Sequence, residues 1–198
     1  MRKSAELRKS EIVSVVLALA DQIGPDRVTT SAVASEIGIT QAALFRHFPT
    51  KSALWVAVAE HVTAKLGAAW AMALSGPVRP EDRLTALVCA QFEQIAATPA
   101  MPMLLFSREL NVENRDLRAA FQERLALFSD LLKHEVAAAQ AAGQFRGDVR
   151  PEDIAVLLTS LVQGVAIRWA LGARNFPIRR EGERLLGIYL ELLREKEG

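Results

Sequence analysis

Cysteine is almost missing from the chain. The single Cys89 in 198 residues cannot form an intrachain disulfide, which excludes a disulfide-stapled scaffold and fits a reducing compartment. Aromatic residues are sparse at 6%, and no stretch alternates β-branched with polar residues as a half-buried strand does, so a sheet-based fold is not expected. No uninterrupted apolar run reaches the roughly 20 residues that span a bilayer. The opening MRKSAELRKSEIVSVVLALADQIG is unlike a signal peptide, because Glu6, Glu11 and Asp21 sit among spaced apolar residues. A dominant charge is absent too: 24 Lys and Arg against 23 Asp and Glu leave a net charge of +1, so the whole chain is not a bulk polyanion binder. These absences together predict a soluble, cytoplasmic protein.

What the chain does have is helix-forming material. Its hydrophobic share is 51%, with Ala and Leu dominant, enough for a well-buried core in an all-α fold. A first helix is predicted over residues 4–23, with Ile12, Val16, Leu19 and Ile23 on one stripe, and Gly24-Pro25-Asp26 stops it. Two short helices follow. The first is predicted to be capped by Thr30 and closed by Gly38; the second is capped by Thr40 and ends near His47, ahead of Pro49. Thr50 caps a long helix reaching about Leu74, and further helical patterns occupy residues 81–97, 100–110, 114–142, 151–172 and 179–196. No internal repeat or low-complexity segment interrupts them.

The two short helices are too small to serve a core, and their composition suggests another purpose. A helix, a tight break at glycine and a second short helix form a helix-turn-helix, whose protruding second helix enters a major groove about 12 Å wide. Leu44 and Phe48 supply its few apolar anchors, while Gln41, Ala42, Ala43 and Arg46 make the outer face small or polar. Thr30 and Thr40 stand at helix starts, where backbone N–H groups suit a phosphate. Lys51 opens the following helix, where a cation opposes the helix dipole unless an anion faces it. Cations also cluster at the N-terminus: residues 1–51 carry seven Lys and Arg against five Asp and Glu, and residues 1–10 suit either an arm reaching DNA or a solvated tail.

The run VTTSAVASEIGITQAALFRHFPTKSALWVAV, preceded by an amphipathic helix, resembles the DNA-binding region of the TetR/AcrR family of bacterial transcriptional regulators. Gly38-Ile39-Thr40 and the stretch from Leu44 to Leu54 carry the resemblance most specifically, and it covers about residues 8–60. It implies an N-terminal three-helix helix-turn-helix DNA-binding domain over residues 1–49 and a C-terminal helical ligand-binding and dimerisation domain over residues 50–198. It also implies a homodimer on a palindromic, double-stranded DNA operator, acting as a repressor that a small-molecule effector releases. Residue by residue, Thr30 and Thr40 match phosphate-contacting helix starts, and Gln41, Ala42 and Ala43 match groove-facing positions. Phe45, Arg46 and His47 match the aromatic, variable and histidine positions of the recognition helix, and Lys51 matches a phosphate-binding lysine. Position 45 is usually Tyr in the family, so Phe45 lacks a hydroxyl that would reach phosphate. Each residue also has a plainer role open to it: Thr30 and Thr40 as simple caps, Phe45 as a third core anchor, His47 as a structural histidine.

The remainder shows no catalytic constellation. His61 and His134 stand alone, Cys89 lies in an apolar helical pattern, and neither an enzyme nor a cofactor or metal is expected. Large soft side chains on the middle helices are the ligand-binding candidates: Trp70, Phe92, Met101, Met103, Phe106, Phe121 and Phe128, with Gln163 as a polar partner. The last two helices carry apolar residues over more than one face. Leu157, Leu158, Leu161, Val165 and Trp169 on one, and Leu185, Ile188, Tyr189 and Leu192 on the other, are the expected interface of an isologous dimer. A second reading keeps the fold and the DNA but replaces the effector with a protein partner or an architectural role.

Overall fold

The computed structural model describes residues 5–194. Among them are ten α-helices and no strand: α1 Ala5–Ile23, α2 Thr30–Ile37, α3 Gln41–Phe45, α4 Lys51–Ser75, α5 Pro80–Ala97, α6 Met101–Phe106, α7 Arg108–Glu113, α8 Arg115–Ala141, α9 Pro151–Leu171 and α10 Ile178–Leu193. The all-α reading therefore stands. The predicted helix start at Ser4, the N-terminal arm's first residues and the last helix's extension to residue 196 lie outside the described residues.

Where the sequence predicts one helix over residues 100–110, the chain makes two. Ser107 takes extended torsions (φ −67°, ψ 107°) and its hydroxyl accepts from the Leu110 N–H at 3.0 Å, ending α6 and capping α7. A serine competes with the helix ladder in this way because its side chain offers the backbone another partner. The Ser107 hydroxyl also donates to an Asp26 carboxylate oxygen at 2.5 Å, tying the turn after α1 to the α6–α7 joint.

Packing groups the chain into two compact units. One holds the residues through Ala64 together with Thr98–Gln122; the other holds Lys65–Ala97 and the residues from Glu123 onward. Helix α4 runs unbroken through both, giving its residues up to Ala64 to the first and the rest to the second.

The first unit is built on Ile12, Val13, Val16 and Ala20 of α1, Val33 and Ala34 of α2, and Leu44, Phe48, Trp55 and Val58, all buried. The second packs α5 against α9 and α10. Its centre includes the fully buried Phe92, whose ring lies over Gly182 of α10. Two buried carboxylates in that unit are matched by arginines: Glu135 accepts from Arg83 at 2.8 Å, and Glu81 from Arg79 at 3.0 Å and Arg194 at 2.5 Å. Unpaired, such charges would be costly at this depth.

By length and composition α9 is apolar enough to cross a membrane, with a mean hydropathy of 1.7, but its uninterrupted apolar runs stay far short of spanning length, as expected. Ile154, Leu158, Val162, Val165 and Trp169 recur at three- and four-residue steps and are buried within the second unit, while Val156 and Leu157 leave apolar residues on its outer side as well.

Cys89 is buried on α5. Burial pushes its thiol pKa up, and the carboxylates of Glu183 and Glu93 push the same way against the pull of Arg179. A raised pKa leaves less thiolate, the reactive form. The native protein is expected to react with a thiol–disulfide reagent far more slowly than the urea-unfolded chain, followed by absorbance. Equal rates would place Cys89 outside the core.

Candidate nucleic-acid interface

The geometry of the head follows from local chemistry. Thr29, not the predicted Thr30, caps α2: it takes β torsions and its hydroxyl accepts from the Ala32 N–H at 3.1 Å. Two adjacent threonines can each supply a capping oxygen, and only the backbone torsions decide which one does. Helix α2 ends on Gly38 in the left-handed conformation (φ 73°, ψ 36°), with the Ile39 N–H reaching back to the Ala34 carbonyl at 3.0 Å. A Cβ at Gly38 would meet nothing within 4 Å, so the torsion rather than space calls for glycine.

Thr40 caps α3 as predicted, its hydroxyl accepting from the Ala43 N–H at 3.1 Å. Helix α3 is only five residues long, ending at Phe45 rather than near His47. Leu44 and Phe48 point into the core as its anchors. Thr40, Gln41, Ala42, Phe45 and Arg46 are exposed, while Ala43 and His47 are half-buried. At 38% exposure, Phe45 is not a third core anchor. Thr50 accepts from the Ala53 N–H at 2.9 Å and caps α4, and Lys51 is exposed in a first turn that holds no acidic residue. An anion facing that turn from outside would be stabilised by both Lys51 and the helix start.

One contact lay beyond sequence reasoning. The Gln41 side-chain Nε2 donates to the Thr30 hydroxyl oxygen at 2.7 Å. The two residues stand eleven positions apart, and no local pattern links them.

The other sequence candidates fall in several places. Trp70 and Phe128 form one buried pair, with ring centroids 5.0 Å apart. The Trp70 indole N–H donates to Gln91 Oε1 at 2.9 Å, and the Arg124 guanidinium lies 5.7 Å from the Trp70 ring centre. Phe92 belongs to the same unit, its ring filled on one side by Gly182, and Gln163 there is half-buried. Met101 and Phe121 are buried in the first unit. Met103 and Phe106 are exposed, whereas the buried residues of the six-residue α6 are Met101, Pro102 and Leu104, which corrects the expectation that all the large side chains of this segment turn inward.

The interface candidates divide as well. Leu158, Val165 and Trp169 are buried in the chain's own core, which corrects their assignment to a dimer surface. Leu157 and Leu192 are exposed, and Leu161, Leu185 and Tyr189 are half-buried. Ile188, at 52% exposure, lies on the same outward face as expected for the last helix, and Val156, at 59%, joins the outward stripe of α9 although sequence reasoning did not name it. Among the described residues no three His, Cys, Asp or Glu side chains are grouped to hold a metal ion.

The head is thus a helix-turn-helix with α3 as its recognition helix, the class of fold that reads DNA through the major groove. Comparison with known proteins supplies the family. Residues 12–58 match the family of bacterial regulatory proteins, tetR family, and residues 80–195 match the C-terminal region of BetI-type transcriptional repressors. The chain belongs to the TetR family of DNA-binding transcriptional regulators.

Curated relatives include the nucleoid occlusion factor SlmA of Mannheimia succiniciproducens, 26% identical over 67% of this chain and 60% of the relative. SlmA of Haemophilus influenzae is 25% identical over 67% of this chain and 59% of its own length. The chain therefore spans about three fifths of the length of these relatives. Among solved structures, the fatty acid degradation regulator FadR of Bacillus halodurans superimposes with a TM-score of 0.81 at 16% identity, covering 99% of this chain and 100% of that one. A protein of Saccharomonospora viridis in complex with choline reaches 0.82 at 18% identity, covering 96% and 100%. At such identities the likeness establishes the fold alone.

Proposed function

We propose that the chain works in the cytoplasm as a homodimeric repressor that holds a palindromic operator and releases it when a small molecule binds the helical body. The observation that carries the DNA-reading part is the outward face of α3, which is polar or small at Thr40, Gln41, Ala42 and Arg46 while Leu44 anchors it from behind. In this reading residues 1–49 are the DNA-binding domain and residues 50–198 bind ligand and partner. Gln41, Ala42 and Ala43 face the bases, Thr30, Thr40 and Lys51 hold phosphates, and Phe45, Arg46 and His47 line the groove and its edges.

Dimerisation is supported by Val156 and Leu157 on α9 and Ile188 and Leu192 on α10, each more than half exposed. Burying these residues against a symmetry mate is favourable by about 25 cal/mol per Å² of apolar surface. Release is supported by the continuity of α4, which carries Lys51 at one end and the buried Trp70 near the other. A ligand that prefers a different setting of α4 would change the separation of two recognition helices that must lie about 34–36 Å apart. The choline-bound fold relative is consistent with a body of this kind accepting a small molecule.

The SlmA relatives favour a second reading: a DNA-bound factor answering to a protein partner or acting architecturally.

Two substitutions test the DNA assignment. Lys51→Ala is expected to weaken binding to all sequences about equally and to flatten the salt slope by about one. Gln41→Ala is expected to relax selection at one base position, a loss of about 1–3 kcal/mol of discrimination there. Fluorescence anisotropy on specific and shuffled duplexes reads both; equal losses for Gln41→Ala on the two duplexes would remove it as a base reader. In the same titration, a small molecule that displaces the DNA would support the first reading. Displacement or retention governed by a protein partner alone would support the second.

A further inference from the structure

Thr30 is half-buried at the first position of α2, and with Thr29 acting as the cap its hydroxyl is not used to start the helix. Instead the Thr30 oxygen accepts a hydrogen bond from Gln41 Nε2 at 2.7 Å, across the turn that separates α2 from α3. From this geometry we infer that Thr30 is a specificity-determining residue, which fixes the orientation of the Gln41 amide so that the recognition helix selects adenine against guanine. The inference rests on the reading of Gln41 as a base reader.

The chemistry follows from what the bond leaves over. A glutamine amide has two N–H donors and one carbonyl acceptor, and its two ends exchange on a half-turn about the last side-chain bond. Spending one N–H on Thr30 holds the nitrogen end toward α2. The second N–H and the Oε1 acceptor remain, in a fixed order, for a partner in front of α3. Adenine presents an acceptor at N7 and a donor at N6 in the major groove, which this pair matches; guanine presents acceptors at both N7 and O6, so Oε1 would face another acceptor. An amide released from Thr30 regains its second N–H and can turn both donors toward N7 and O6 of guanine, which removes that discrimination. Because the Thr30 oxygen is the acceptor, its own proton points away from Gln41 and is available to a phosphate oxygen. A chain running from base-reader N–H through hydroxyl to phosphate would be mutually strengthening. Gln41 and Thr30 lie within one compact unit, so the arrangement is intact in the protein before DNA arrives.

The test is selection of binding sites from a random duplex library by the full-length protein and by Thr30→Val, Thr30→Ser, Gln41→Ala and the Thr30→Val/Gln41→Ala double variant. Anisotropy titration of the selected site with adenine or guanine at the critical position follows. The wild type is expected to prefer adenine there by roughly 10- to 100-fold. Thr30→Val is expected to lose roughly tenfold of that ratio, Thr30→Ser to retain it, and Thr30→Val to add no further loss of discrimination on the Gln41→Ala background. A merely structural or phosphate-contacting Thr30 would lower affinity for both duplexes and leave their ratio alone; that result overturns the inference while Gln41 stands as the reader. If Gln41→Ala itself leaves every selected position unchanged, the base-reader assignment falls and the inference falls with it.

Discussion

Gly182→Ala is expected to destabilise the second unit by about 1–3 kcal/mol, as overpacking of a close-packed core commonly does. The position lies in mid-α10, where alanine normally improves on glycine by about 1 kcal/mol through backbone entropy. Sterics oppose that gain. A Cβ at residue 182 would lie 2.2, 2.4 and 2.6 Å from three carbons of the Phe92 ring, and the ring is itself fully buried. Three consecutive ring atoms cannot be cleared by a small rotation, so either the ring moves bodily or α10 separates from α5. Gly187→Ala is the control: nothing lies within 4 Å of its would-be Cβ, and it shares a line of the helix with Glu183 and Glu191 rather than with the apolar Ile188 and Leu192. That variant is expected to keep or raise the urea midpoint while Gly182→Ala lowers it. Trimming the ring with Phe92→Leu in the Gly182→Ala background should recover part of the loss. A Gly182→Ala protein as stable as the Gly187→Ala control would show that the α5–α10 contact is looser than described.

Leu44→Ala is expected to cost about 2–5 kcal/mol in the first unit and to remove most of the specific DNA binding. Leu44 is completely buried, and it is the only buried residue within α3. A five-residue helix is far below the length at which helices persist unaided in water, so its shape and direction depend on tertiary anchoring. Losing the Leu44 side chain leaves Phe48, beyond the helix end, as the remaining anchor of the recognition segment. Operator affinity is expected to fall further than for any single surface change on α3, while binding to shuffled DNA, carried by charge, falls much less. Ala42→Ser, on the exposed face of the same helix, is expected to leave stability unchanged. Urea unfolding followed by circular dichroism, paired with anisotropy, measures both effects. An operator affinity preserved in Leu44→Ala would mean that α3 is not held from behind by this residue.

How legible this protein was in its sequence depends on how local the deciding physics is. The left-handed close at Gly38, the Thr40 cap and the Leu44–Phe48 anchor pair each involve residues within a few positions of one another, and each appears as read. Choosing Thr29 over Thr30 as the cap of α2 turns on torsions that two neighbouring threonines do not distinguish in sequence. On α9, Leu157 and Leu158 are equally apolar, yet one is exposed and the other fully buried; on a helix apolar nearly all round, only packing reveals which stripe is inward. The same even coating makes α9 long and apolar enough to resemble a membrane span. Met103 and Phe106 were attractive as large soft side chains, but the break at Ser107 leaves α6 too short to bury more than one side. The Thr30–Gln41 bond required two helices to be folded against one another before it could be seen.

The most direct test of the central claim, that α3 reads a specific operator, is an anisotropy titration of the purified protein. Its targets are the DNA fragment it enriches most from the region upstream of its own gene and from genomic DNA, and a shuffled duplex of the same composition, each at two salt concentrations. The account predicts tighter binding to the enriched fragment by at least about a thousandfold, with affinity for both duplexes falling steeply as salt rises. Equal affinity for the two duplexes, or an affinity indifferent to salt, would contradict it.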